Sequence, residues 1–388
     1  MPSLLCLAVL CVPPAEGVPP AKALPRTDGA AAGAAISAVR WGYGPAGPEQ
    51  LALRWETDRP AASAVRFGPP GAPAEERRVE GERRRHEVTV PAGRTGAYQV
   101  SGPDGWSSPA PLPAAPAEEL RVAFVANWQG RPDLSALLAD DPHLLVSAGD
   151  QVADLHSGCG EGAVACTAPF ARLIDDYPAL FRSVPYLPTL GNHDRQIRER
   201  GPEPPAEPVY DVDAVALRAF FTLPSEPEWR WRLTLPEFGL RLTSVDLNHT
   251  SDVGTTWQSC HAFDAGSEQL NWFEDRPAEE AAFRVTVYNE RNATVRGLAG
   301  GRWGAALEGE TCVIAGFGHF AERAEPPGSA VFLNTSLHGR GDRYPDPHTR
   351  FLAGEDGYVL LRIARGGPMT AELKNLDGET LDAVRFPR

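Results

Sequence analysis

Tyr186-Leu187-Pro188-Thr189-Leu190-Gly191-Asn192-His193-Asp194 is the stretch that decides the reading of this chain. A short apolar run of strand length delivers one glycine and then three polar side chains in a row. The arrangement recurs: RVAFVA (121–126) runs into Asn127, HLLVSAG (143–149) into Asp150, FRVTVYN (283–289) ends on Asn289, and TCVIAGFG (311–318) runs into His319. LRLTSVDL (240–247), AVFLNTSL (330–337) and GYVLLRIA (357–364) add further strands, and FARLIDDYPALF (170–181) reads as a helix with one proline near its end. Buried strands alternating with helical segments imply an α/β domain whose sheets are covered on both faces. The polar residues fall just past strand ends, where such folds build ligand sites.

Towards the N-terminus the pattern changes. LALRWET (51–57), SAVRFG (63–68), HEVTV (86–90) and AYQVSG (97–102) are short strands bounded by Gly and Pro, which predicts a small all-β sandwich over 36–116. Pro109–Pro116 then links it to a larger domain over 120–388. Ahead of the sandwich, 24–35 reads as a flexible Pro/Ala/Gly linker. Residues 3–12, SLLCLAVLCV, form an apolar run followed by the small-residue sites Ala15-Glu16-Gly17 and Ala21-Lys22-Ala23. It lacks a positively charged leader, but the pattern is that of an export signal over 1–23, and the expected location is secreted, periplasmic or cell envelope. If the signal is removed, Cys159, Cys166, Cys260 and Cys312 remain. An even set in an exported chain predicts two disulfides, with Cys159–Cys166 the local pair; four buried thiols are the alternative.

A length of 388 residues allows two or three domains. The net charge of −14 argues against a nucleic-acid partner, which requires a basic face, and disfavours anionic membranes. The chain has no serine nucleophile elbow, P-loop or dinucleotide fingerprint.

Asn127-Trp128-Gln129, Gly149-Asp150, Gly191-Asn192-His193-Asp194, Asn289 and Gly316-Phe317-Gly318-His319, in that order, resemble the motif series of the calcineurin-like metallophosphoesterases, and among them the purple acid phosphatase branch. Phe320-Ala321-Glu322-Arg323 resembles the segment after the last histidine in that branch, and Val245-Asp246, Gln269–Trp272 and Gly357-Tyr358 also fit. Trp55-Glu56-Thr57, Arg66-Phe67-Gly68 and Ala97–Val100 resemble the fibronectin-III-like domain that precedes the catalytic domain there. The resemblance covers 121–388, or nearly the whole chain with the sandwich. It implies a four-layer α+β sandwich of two mixed β-sheets flanked by helices. It also implies hydrolysis of phosphoric esters by two cations (Fe, Mn, Zn or Mg) about 3.5–4 Å apart.

Carried over residue by residue, the resemblance gives one metal Asn127, Gln129, Asp150 and His319, and the other Asp150, Asn192, Asn289 and Phe317. Asp150, Asn192 and His319 are retained ligand types. The amides at Asn127, Gln129 and Asn289 are weaker than the expected carboxylate or imidazole, and Phe317 coordinates nothing. Two divalent ions about 3.5 Å apart repel by roughly 19 kcal/mol at an effective dielectric of 20, so this depleted set implies one metal or none. A one-residue slip brings Glu290 into the place of Asn289. Asp246, Asn248, His249 and His156 are possible substitutes, and one Mg²⁺ or Ca²⁺ on Asp150, Asn192, Asn127 and Glu290 is a further possibility. By the same resemblance His193 lies over the phosphate as acid or charge stabiliser and Asp194 orients it; the alternative is a hydrogen bond that fixes the loop.

The expected function is therefore a pseudo-phosphatase that binds a phosphate ester or other anionic small molecule. The alternatives are an active phosphoric-ester hydrolase on one metal or an altered ligand set, and an interaction protein whose N-terminal sandwich holds a protein partner. Three features carry little weight: the Arg340-Gly341-Asp342 triplet in a surface turn, the glycosylation acceptors Asn248, Asn292 and Asn334, and Arg83-Arg84-Arg85, read as a solvated hairpin turn.

Overall fold

The structure, a computed structural model, describes residues 35–44, 47–69, 75–91, 96–112, 115–198, 211–221, 223–224, 229–275, 281–338 and 343–388, the first fourteen of them as backbone only. The export signal, most of the linker after it and the Arg340–Asp342 triplet lie outside these residues.

Two mixed sheets form the body. One has six strands in the order Thr380–Phe386, Met369–Asn375, Gly357–Ala364, Glu119–Val125, Leu144–Ser147, Tyr186–Pro188; the last three are parallel to one another. The other has seven, in the order Trp231–Leu235, Leu240–Asn248, Phe283–Asn289, Cys312–Ala315, Val331–Asn334, Ala321–Ala324, Thr349–Ala353, with four parallel strands in its centre. Successive side chains on a strand point to opposite faces, and here both faces are apolar. Val285, Val287, Ile314 and Leu333 enter the core shared with the six-stranded sheet, Val122, Phe124, Leu145 and Leu187 included. Their neighbours Val313, Ala315 and Phe332 pack instead with Leu270, Phe273, Val295 and Trp303 of the helices Glu268–Glu274, Asn292–Gly297 and Arg302–Leu307. On the far side Leu137, Leu155, Phe170, Leu173 and Phe181 bring helices onto the six-stranded sheet. The layers run helix, sheet, sheet, helix, as the resemblance implies.

The segment 170–181 does not form one helix. It divides into Ala168–Asp176 and Pro178–Ser183. Pro178 lacks the N–H for an i→i−4 bond and disfavours helical φ/ψ at Tyr177, so the chain breaks there, and the proline serves as the first residue of the second helix.

N-terminal strands Ala35–Gly44, Gly47–Gly68, Glu75–Pro91, Gly96–Gly102, Gly105–Trp106 and Ala110–Leu112 are antiparallel and form one six-stranded network, rather than two separately paired sheets. Gly47–Gly68 pairs with three partners and is bulged between Glu56 and Ala61. Opposite the bulge lie Arg83–Arg85, which are therefore strand residues and not a hairpin turn. Arg85 donates to Glu56 at 2.6 Å and reaches Thr167. Leu51, Leu53, Trp55, Val65 and Phe67 join the same core as the large sheets, and Tyr98 donates to the Arg182 carbonyl at 2.8 Å.

Cys159 and Cys166 form a disulfide with Cα atoms 6.0 Å apart. The second disulfide expected from the cysteine count is not formed: Cys260 and Cys312 are buried free thiols. Burial raises both, Cys260 to about 12. Asn248, Asn292 and Asn334 are buried and hydrogen-bonded, which makes them structural side chains rather than glycan acceptors.

Candidate functional site

The loops that leave the parallel strands converge at their carboxyl ends. Asn127 and Asp150 both adopt positive φ, 54° and 57°, a conformation strained for non-glycine residues and concentrated at functional sites. Backbone bonds couple their loops: Asn127 donates to the Gly149 carbonyl at 3.2 Å and Trp128 to that of Asp150 at 2.9 Å. The His193 amide donates to Asp150 Oδ1 at 3.2 Å. Gly191 is required by this approach, since a Cβ there would stand 2.1 Å from Asp150 Oδ1.

Asp194 is fully buried, and its carboxylate accepts from the amides of Asp150 (3.0 Å), Gln151 (2.8 Å) and Gly191 (2.8 Å). Those bonds lock the two loops together. Burial and then the Asp150 charge push Asp194 well above the usual carboxylate range, against the pull of the N–H donors. The half-buried His193 ring makes its Nδ1 contact with the Ala153 carbonyl, and His319 makes the same kind of contact with that of His338. A carbonyl only accepts, so in both rings Nδ1 carries the proton and Nε2 is left for a ligand.

Asn127 and Asn289 face inward as donors. Asn127 Nδ2 reaches the carbonyls of Gly316 (3.3 Å) and Gly318 (2.9 Å) and the Ser336 hydroxyl (3.1 Å). Asn289 Nδ2 bridges the carbonyls of Ala148 (2.9 Å) and Gly316 (2.8 Å), lying so close to Gly149 that a Cβ there would be 2.5 Å from its own. Asn192 is fully buried, and neither of its side-chain polar atoms has a partner among the described residues. Gln129 is half-buried. The Phe317 ring sits 5.6 Å from both His249 and Tyr344.

The substitute ligands are engaged elsewhere. Glu290 is buried and accepts from the Thr250 amide (2.5 Å) and hydroxyl (2.9 Å) and the Arg291 amide (2.7 Å). His249 pairs with Asp252 at 3.2 Å and His156 with Asp154 at 2.6 Å. Asp246 meets Arg195 at 2.5 Å and His261 Nδ1 at 2.6 Å. Burial works to raise Asp246, but Arg195 and His261 outweigh it and hold the carboxyl below its usual range. Sequence reasoning missed Arg195, although it directly follows Asp194 and its Nη1 holds the Gly191 carbonyl at 3.1 Å.

The chain matches a purple acid phosphatase from yellow lupin (Lupinus luteus) seeds with a TM-score of 0.64 at 13% identity, over 92% of this chain and 75% of that one. The fold is metallophosphoesterase-like. A dimetal phosphatase from Danio rerio matches at a TM-score of 0.42 and 12% identity, over 70% of this chain and 99% of that one. No protein-family model and no curated protein sequence matches.

The resemblance in the motif series implies a two-metal centre built from carboxylate and imidazole ligands. Among the described residues no group of three or more His, Cys, Asp or Glu side chains could hold an ion. The amides at the expected ligand positions 127 and 289 commit their Nδ2 groups to carbonyls and keep only a neutral Oδ1 as a ligand atom, weaker than the carboxylate or imidazole expected there.

Glu290 supplies a pH test. Burial raises its pKa above the ordinary 4.5, so the folded protein holds this proton more tightly than the unfolded chain does. Its contribution to stability is then present below about 4.5 and is lost as pH climbs through the raised value. Urea denaturation from pH 4.5 to 8 should show a flatter profile for Glu290→Gln than for the parent protein. Parallel profiles would show that Glu290 stays ionised in the fold.

Proposed function

We propose that this is a metallophosphoesterase-fold protein whose site binds a phosphate ester or other small anion and does not turn it over efficiently. The observation that carries the reading is the donor orientation of Asn127 and Asn289: amide hydrogens cross-link the Ala148, Gly316 and Gly318 carbonyls where the family's ligands would draw in cations. The unpartnered Asn192 amide and the free Nε2 atoms of His193 and His319 supply the polar groups for an anion. The amide N–H is a donor to such a ligand, and each Nε2 can accept from a protonated phosphate oxygen. Export from the cytoplasm belongs to this reading, and the Cys159–Cys166 disulfide supports an oxidising compartment.

A second reading, a hydrolase on one metal, is favoured by one observation only: a buried unpartnered Asn192 beside the Asp150 loop would also suit an ion. Elemental analysis of protein purified without chelator, an aryl-phosphate assay and calorimetric titration with inorganic phosphate separate the two. The expected result is less than about 0.1 metal per chain, no turnover after adding Fe, Mn, Zn or Mg, and phosphate binding weakened about tenfold in His193→Ala. Roughly one equivalent of metal with turnover lost in His193→Ala would establish the hydrolase instead. Normal function in His193→Ala and Asp150→Ala would leave the large domain as a scaffold.

A further inference from the structure

A cavity of about 200 Å³ lies between the Trp128 loop, the Gln151–Asp154 loop and the helix Ala168–Asp176. It is smaller than the usual 300–1,000 Å³ of drug-sized sites but larger than the roughly 150 Å³ that holds one benzene, so it suits a metabolite with a short apolar body. Trp128 and Tyr177 wall one side. Their polar atoms are engaged elsewhere, Trp128 Nε1 with Ser147 at 3.1 Å and the Tyr177 hydroxyl with the Pro132 carbonyl at 3.1 Å, so both offer only ring surface. Val152 and Leu173 complete the apolar lining.

The uncommitted polar groups of the lining have two signs. Arg172 has no ion-pair partner among the described residues. Asp176 pairs one carboxylate oxygen with Arg131 at 2.8 Å, and its other oxygen has no partner among them. Gln151 is fully buried, and its Oε1 has no partner among the described residues. By contrast Asp154 has both oxygens occupied, by the His156 amide and the Ser157 hydroxyl. Arg172 and Asp176 stand four residues apart on one helix, which places their Cβ atoms about 5–6 Å apart on a single face. A ligand that satisfies all three groups carries an anionic acceptor for Arg172 and an N–H donor for Asp176 and Gln151, with an apolar body against the two rings. The opposite wall is fixed: Gly158 packs on Pro169 so closely that a Cβ there would be 2.8 Å from the ring, and the Cys159–Cys166 disulfide closes the loop that leads into the helix Ala168–Asp176.

We propose that this cavity is a binding site for a small zwitterion of the α-amino acid class, with its carboxylate at Arg172 and its ammonium at Asp176. The site is separate from the phosphate-binding reading; the Ala153 carbonyl that holds His193 belongs to the loop shared by both.

Calorimetric and ligand-observed NMR titrations of the full chain with leucine, 4-methylpentanoate and isoamylamine test the proposal, because the last two each keep the body and one charge. Leucine should bind at least about tenfold more tightly than either. Arg172→Gln, at an exposed position, should erase the advantage of leucine over isoamylamine, and Ala168→Phe should fill the mouth and remove binding of all three. Equal affinities for the three probes, leucine binding unchanged by Arg172→Gln, or no saturable binding of leucine would each overturn it. Arg172→Gln keeps the test decisive if Ala168→Phe does not fold.

Discussion

Arg195→Ala will lower the stability of this protein by about 3–5 kcal/mol, the range found when one partner of a buried ion pair is removed. Arg195 and Asp246 are both fully buried, and their 2.5 Å contact is the deepest ion pair among the described residues. The guanidinium also donates to the Val212 carbonyl at 2.9 Å and the Gly191 carbonyl at 3.1 Å. Alanine leaves Asp246 with His261, Asn248 and a backbone amide but without its neutralising cation, and it leaves two carbonyls without these donors. Equilibrium urea denaturation measures the loss. Hydrogen exchange should also quicken at Gly191–Asp194, because the loop loses the bond that fixes its first carbonyl. A loss under 1 kcal/mol would mean that water or a rearranged side chain replaces the guanidinium, and the pair would then not be what holds this loop.

Much of the architecture was legible because strand patterning is a one-dimensional signal. RVAFVA, HLLVSAG, YLPTL and FRVTVYN each run apolar to a polar end, and each is a parallel strand whose end reaches the site. The helix at 170–181 was misread at one residue, since its apolar spacing continues across Pro178 while its backbone hydrogen bonding cannot. The arginine run at 83–85 was misread because charge alone suggested a turn. Its register opposite the Glu56–Ala61 bulge depends on pairing with a strand some thirty residues earlier, which spacing does not encode. Likewise the even cysteine count could not reveal that, among the described cysteines, only Cys159 and Cys166, seven residues apart, meet.

At the site, the sequence gives residue types but not the direction in which an amide points. Asn127 and Asn289 are weak ligands by type, and only the fold brings their Nδ2 groups to the Gly318, Ala148 and Gly316 carbonyls. Asp194 is a similar case. The residue after a histidine suggests a partner for that ring, yet its oxygens are taken up by three backbone amides, two of them more than forty residues earlier in the chain. Arg195 went unread because an arginine next to a motif is usually exposed, and nothing local announces a carboxylate at 246.

Asn289→Ala should cost about 2–4 kcal/mol, because it strips the amide donor from the Ala148 and Gly316 carbonyls and a buried group left unsatisfied costs roughly 1–3 kcal/mol. Asn127 also donates to Gly316, at the longer distance of 3.3 Å, which keeps the expected loss below the full sum. What distinguishes this variant from an ordinary core truncation is its response to ions. If the amide is a structural cross-link, the thermal midpoint falls by the same amount in EDTA as in millimolar Mn²⁺ or Zn²⁺. If Asn289 were instead a ligand, the parent protein would be stabilised by the ion through mass action and the variant would lose that increment, so that the gap between them widens with metal. An equal gap in both buffers places the Asn289 amide in the role that a cation has in a two-metal phosphoesterase: it draws the carbonyl-lined loops together from inside, with hydrogen bonds and no net charge.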